Sequence, residues 1–306
     1  MFATLLGSLP RPPLPDDASP HDLVVAVVRA QESAGLEPLT DGGFGIGGGV
    51  VERWQGTSAL TERPVKHALV GPYSAGRASA RDAGARVESI LAASESLNED
   101  LRVLAGAGCP MIEIHEPAAT EIGADEAERT LFRDAHRRLL EGVVGTHLSL
   151  AITGGNADAA GVETLLAAPY ASLAFDLIAG PDNWRLVVAI PGERGIVCGA
   201  LSAAAGSDDR PEVLLWAAGY ASSTGGRGAD RVGLASASSF ADLPWDVAVR
   251  KLARLGEAVR LAALPADERR LQMDPRAVDI RSAALGRVGS RRRVEPRLRR
   301  SRRDGP

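Results

Sequence analysis

Eight short runs of β-prone residues recur along this chain, and most are followed by a stretch with apolar residues at three- and four-residue spacing. Alternating strand and helix buries its apolar surface best as a parallel sheet covered by helices, because each parallel connection must cross over one face. The runs are Phe2–Leu6, Glu37–Asp41, Val65–Val70, Met111–His115, His147–Ile152, Leu173–Ile178, Gly195–Leu201 and Val232–Ser236. Between them Pro20–Ala34, with Ser19 as N-cap, reads as a helix, as do 86–106, 124–144 and 245–263. Eight such units predict an α/β fold of the (β/α)8 TIM-barrel type, one domain over residues 1–272. An open doubly wound sheet is the alternative, but no Gly-x-Gly-x-x-Gly stands at a strand-to-helix turn. The glycine-rich stretch 42–49 reads instead as a flexible loop at the barrel mouth, with no helix opening after it.

With 306 residues and 45% hydrophobic content, the chain can bury a large core. No apolar run approaches the roughly 18 residues of a membrane span, and no basic segment precedes an apolar one at the N-terminus. The expectation is a cytoplasmic protein with no membrane partner. Two cysteines, Cys109 and Cys198, are too few for a disulfide framework and lie in apolar contexts suited to buried thiols.

Charge is uneven along the chain. From residue 273 onward there are eleven arginines and four acidic residues, a balance of +7, so with a net charge of −4 the first 272 residues carry −11. A body this acidic argues against nucleic acid as a partner and leaves a small-molecule ligand or substrate. Segment 273–306 has no apolar period and too much like charge to fold alone, and is expected to be a disordered, solvated tail. Composition gives no indication of oligomeric state.

Several motifs, taken in order, resemble the C-terminal catalytic barrel of the cobalamin-independent methionine synthase family. They are Leu6-Gly7-Ser8-Leu9-Pro10-Arg11-Pro12, Thr40-Asp41-Gly42, Val65-Lys66 with Gly71-Pro72, Ile112-Glu113-Ile114-His115-Glu116-Pro117-Ala118, Thr146-His147-Leu148-Ser149, Leu243-Pro244-Trp245 with Lys251-Leu252, and Asp274-Pro275-Arg276. The resemblance implies a zinc ion at the barrel mouth, held by one His, two Cys and one Glu. That zinc would present a thiol as thiolate to the methyl group of a folate. His147 matches the ligand histidine, Ser149 and Ser238 stand at the cysteine positions, and the glutamate falls near Ala179-Gly180. A serine hydroxyl is a poor substitute for thiolate, so a family-type zinc site is expected to be lost, with a methylfolate remaining as the candidate donor. The two acids that hold the amino-acid ammonium in the family fall at Gly43 and His115, which predicts an altered acceptor.

What chemistry remains rests on few residues. Glu113 and His115, two apart on one strand, face the same side, and His147 opens the next strand. His115 and His147 are the candidate catalytic bases. Together with Glu113 the two histidines could form a hard three-ligand metal site; equally, Glu113 could pair with a basic side chain and His115 be a pocket histidine. Candidate substrate-binding residues are Gly7, Ser8, Asp41, Lys66, Glu113 and Glu116, with Trp184 to stack on a flat ligand. Glu116 reads alternatively as an acceptor for loop N–H groups. The readings of function are a methyl- or alkyl-transferase with an altered acceptor, a non-catalytic ligand-binding homologue, or a lyase or decarboxylase built on the same mouth.

Overall fold

The structure, a computed structural model, describes residues 1–272 apart from 46, 83 and 208. The basic tail expected over 273–306 therefore lies outside the described residues. Seven parallel strands form one sheet: β1 (Phe2–Thr4), β2 (Lys66–Val70), β3 (Met111–His115), β4 (His147–Ile152), β5 (Ser172–Asp176), β6 (Gly195–Leu201) and β7 (Val232–Ser236), in the spatial order β1-β7-β6-β5-β4-β3-β2. Every pairing is parallel, as the strand–helix alternation requires.

The eighth expected strand, Glu37–Asp41, is not a ladder strand. It carries a single parallel bridge, Leu39 to Val65, and reaches the other edge through Glu37 N–H donating to the Ala3 carbonyl at 2.7 Å. Pro38 has no N–H to continue a ladder, and its carbonyl is taken by the Thr4 hydroxyl at 2.8 Å. The segment spans the gap between β1 and β2 with few backbone bonds.

The two faces of the sheet differ in kind. Outward positions are large and apolar: Ile112, Ile114, Leu148, Leu150, Leu173, Phe175 and Leu234 are all buried beneath the helices. Inward positions are small or polar: a short apolar layer of Leu6, Ala151, Ala174, Val197 and Ala235 shares that side with Lys66, Glu113, His115, Ser149 and Ser172. Side chains two apart on a strand share a face, so a polar inner face beside an apolar outer one follows directly from the alternation in Met111–His115 and His147–Ile152.

Helix Pro20–Ala34 is closed by Ser19 and Asp22 in a reciprocal capping box and ended by Gly35 at φ 80°. Helices 86–106 and 245–263 stand where their periodicity places them, and the third is trimmed to Glu126–Leu139 with Asp125 as N-cap. The glycine-rich loop does lead into a helix, Val50–Ser58, whose Glu52 accepts from Gly48 N–H at 3.0 Å. With no Ser, Thr or Asp at its start, that helix gives no conventional N-terminal signal.

Candidate functional site at the carboxyl edge of the sheet

A parallel sheet of this kind presents functional groups where its strands end. At the end of β3, His115 is 15% exposed, and its Nε2 lies 2.7 Å from Glu113 Oε1. The other carboxylate oxygen accepts from Lys66 Nζ at 2.7 Å, and the ammonium donates as well to the Leu5 carbonyl at 2.8 Å. Both partners of the Lys66–Glu113 pair are fully buried. Burial is the largest influence on Glu113 and pushes its carboxyl up. The Lys66 charge and the His115 hydrogen bond overcome it and hold the group at about 2. The carboxylate is therefore ionised and fixed, and the imidazole it orients is the one member of the chain that reaches solvent.

Around His115 the inner wall is open. Ala68 and Val70 share its face on β2, and Val70, its register partner, is 53% exposed although it is a large apolar residue. Across the edge, Gly7 takes φ +78°, and a Cβ there would come within 2.8 Å of Ser239. Its neighbour Ser8 donates its N–H to Ser239 Oγ at 3.2 Å, tying the end of β1 to the loop after β7. Gly43 lies against Ser8, since a Cβ at 43 would sit 2.5 Å from Ser8 Oγ. Asp41 folds back to accept from Gly43 N–H at 2.9 Å. Gly7, Ser8, Asp41 and His115 thus all belong to the carboxyl edge.

Other candidates have different places. Lys66 and Glu113 are buried in their ion pair and connect to the solvent-facing edge only through His115. Glu116 is fully buried and accepts from Tyr73 N–H, Ser74 N–H and the Ser74 hydroxyl, which fixes the start of helix Pro72–Ser79. These are the bonds that the acceptor reading of this residue calls for. Trp184 is 4% exposed and packs edge-on against Trp216 and Tyr220 at 5.4 and 5.1 Å, on the helix side of the sheet, so it is not placed to stack on a ligand at the edge.

His147 stands at the opposite edge. It is the first residue of β4 and pairs in register with Met111, whereas His115 pairs with Ala151, four residues further along. At about 3.3 Å per residue the two histidines are separated by roughly 13 Å along the strands and do not line one pocket. The three-ligand arrangement of Glu113, His115 and His147 is accordingly not formed. His147 Nε2 contacts Ser172 Oγ at 2.8 Å, which in turn donates to Ser149 Oγ at 3.0 Å.

The zinc implied by the resemblance does not fit these residues. Ser149 is buried mid-strand and hydrogen-bonded to Ser172, His147 is at the amino edge, and Ser238 lies in the loop beyond β7. Among the described residues no three His, Cys, Asp or Glu side chains come together as a ligand set. Cys109 and Cys198 are unpaired and buried; burial pushes their thiols up to about 11 and about 12.

Asp176, at the end of β5, escapes a motif-based reading. Buried, it accepts from Ile178 and Ala179 N–H through Oδ1 and from Gly154 N–H through Oδ2, and so organises two loops of the same edge. An acid closing the apolar run Leu173-Ala174-Phe175 is the signal that marks it.

Among solved structures, a B12-independent methionine synthase from Shewanella sp. W3-18-1, in complex with selenomethionine, matches 86% of this chain and 99% of its own at a TM-score of 0.71 and 18% identity. The chain shares the fold of that structure. A methyltransferase from Methanosarcina mazei matches 70% of this chain and 64% of its own, with a TM-score of 0.52 and 14% identity. No family model and no curated protein matches the sequence. The likeness supports the resemblance carried by the sequence motifs, and at this identity it speaks for the fold alone.

Proposed function

We propose that the carboxyl edge is the active site of a methyl- or alkyl-transferase acting on a small-molecule acceptor, with His115 as general base. The observation that carries this reading is the chain Lys66–Glu113–His115, a buried ion pair that orients one partly exposed imidazole. In the neutral ring Nε2 donates to Glu113, which leaves the Nδ1 lone pair to take a proton. The acceptor X–H gives its proton to Nδ1, its lone pair forms the new bond to the methyl carbon, and the donor leaves with the electrons of the bond that breaks. The imidazolium that forms is stabilised by the Glu113 carboxylate. No step is assigned to zinc.

A flat donor of the methylfolate type fits the open wall at Ala68 and Val70. The acceptor differs from homocysteine, because glycine at 43 and imidazole at 115 offer no anions for an ammonium group. In this reading residues 1–272 act as one cytoplasmic barrel domain, with Glu37–Asp41 in the place of its second strand.

The test is transfer of a labelled methyl group from methyltetrahydrofolate to a panel of thiols, amines and alcohols, read by mass spectrometry. A methylated acceptor is expected, with the rate reduced about 100-fold or more by His115→Ala. Ligand binding without turnover for every pair would favour a binding homologue. Full turnover by His115→Ala would remove the assigned base.

A further inference from the structure

At the amino edge of the sheet, away from His115, a cavity of about 480 Å³ opens beneath the first residues of the strands. Its walls are mainly apolar, with Phe2, Met111 and Val197 among them, and Ala171 stands beside them half-buried. Small inner residues create the space: Gly233 carries the ring of Phe2, which a Cβ would overlap at 2.5 Å, and a Cβ at Gly195 would press on Ser172 at 2.9 Å. The Ser172–His147 contact closes one side with its hydrogen-bonding groups directed at each other.

The opening is acidic. Glu37, Glu193 and Asp230 stand exposed at it beside Arg231, with the buried Arg227 guanidinium near enough to Glu193 to act on it electrostatically, and none of the three carboxylates makes a close ion pair or side-chain hydrogen bond among the described residues. Apolar walls below unpaired carboxylates disfavour an anion or a sugar, whose polar groups would find no partners inside. They complement a molecule with an aliphatic body and a cationic head, whose stem can lie on apolar surface while its charge stays in water.

We propose that this cavity is a second binding site, distinct from the carboxyl edge, for a small free organic cation: an alkyl chain ending in an ammonium or guanidinium group. Its walls take the alkyl chain, and Glu37, Glu193 and Asp230 take the head. An arginine of segment 273–306 has the same chemistry, so the source has to be distinguished as well.

The probe is n-pentylguanidinium, titrated into the full chain by calorimetry and followed by NMR. One-to-one saturable binding is expected at millimolar concentrations, weaker in high salt. Met111→Trp, which enlarges an inward side chain of β3 that lines the cavity, should cost at least tenfold in affinity. The exposed pair Glu193→Gln and Asp230→Asn should together cost about three- to tenfold, and this arm keeps the test open if Met111→Trp does not fold. His115→Ala should leave the affinity unchanged, which separates this site from the carboxyl edge. Equal or tighter binding of 1-pentanol would overturn the cationic class, and unchanged binding by both cavity variants would overturn the location. Absence of saturation by about 50 mM would overturn the site itself. Replacing the arginines after residue 290 by glutamine should not alter affinity; a tenfold rise would show that the chain's own segment competes for the cavity, against a free ligand.

Discussion

The inner face of the sheet has two ends, each with a histidine, and they are built from different chemistry. At the carboxyl edge His115 is held by a carboxylate that is itself held by a buried ammonium. At the amino edge His147 is held by a neutral hydroxyl, with a second serine behind it and no charge in the chain. Both histidines are inward residues of neighbouring strands, and only their position along the strand separates them. One closes β3; the other opens β4. A histidine in a β-prone run can therefore serve either end of such a fold, and what distinguishes the two is the hydrogen-bond partner: Glu113 places an anion against His115, while Ser172 places a neutral hydroxyl against His147.

The largest expected effect tests the charged end. Lys66→Met leaves the Glu113 carboxylate buried without its ammonium, and removing one partner of such a pair costs about 3–5 kcal/mol. Urea unfolding of the variant against wild type measures it, and a loss below about 1 kcal/mol would mean that the pair is not isolated from water. Acid should show the same pair from the other side. Glu113 is held at about 2 against an ordinary 4.5, so its contribution to stability is complete above about pH 4.5 and is lost as pH falls toward 2. Wild type should lose stability steeply through that window, and Glu113→Gln should lose much less.

Function sharpens the contrast. If transfer is observed, His115→Ala should lower the rate about 100-fold or more, while His147→Ala should leave it within about twofold, because the imidazole at the amino edge touches no reacting group. Equal losses in both variants would join the two ends into one site and undo the contrast.

Much of the fold was legible in the sequence, and for a physical reason. Period-two alternation in Met111–His115 and His147–Ile152, and 3.6-residue periodicity in 20–34, 86–106 and 245–263, are local signals that packing then uses. Glu37–Asp41 reads as a strand by its place in the alternation, yet Pro38 and two rival edge strands leave it one bridge. The site was less legible, because a motif fixes residue types but not their level along a strand. Thr146-His147-Leu148-Ser149 matches a ligand motif of the carboxyl edge, but here β4 starts at His147 and runs on to Ile152 before reaching that edge. Trp184 illustrates a different limit: nothing local announces that Trp216 and Tyr220 will cover it. Lys66, Glu113 and His115 were each visible as candidates, whereas their hydrogen-bonded order depends on the β2–β3 register.

A smaller effect probes the loop beside His115. Gly43 takes φ +91°, and a Cβ there would overlap Ser8 Oγ at 2.5 Å, so Gly43→Ala carries both backbone strain and a clash. A cost of about 1–2 kcal/mol is expected in urea unfolding. A neutral result would place the open space of the carboxyl edge elsewhere.

The smallest effect belongs to the uncharged end and has the opposite chemical origin from Glu113. His147 is exposed at the start of β4, but partial desolvation of its ring lowers its pKa from the ordinary 6.5, with no neighbouring charge offsetting it. The folded state therefore binds this proton less readily than the unfolded chain, so stability is complete above about pH 6.5 and declines as pH falls through the interval below it. His67 shifts in the same direction, burial leading and Asp41 opposing, and it contributes equally to wild type and to a His147 variant. His147→Gln keeps a side-chain amide within reach of Ser172 but cannot titrate. The difference in unfolding free energy between wild type and His147→Gln should be constant above about pH 7.5 and should move in favour of the variant as pH falls from 6.5 toward 5, before Glu113 begins to titrate in both. Parallel curves across that range would mean that His147 is protonated as easily folded as unfolded, and the two ends would then not differ in the way their hydrogen-bond partners imply.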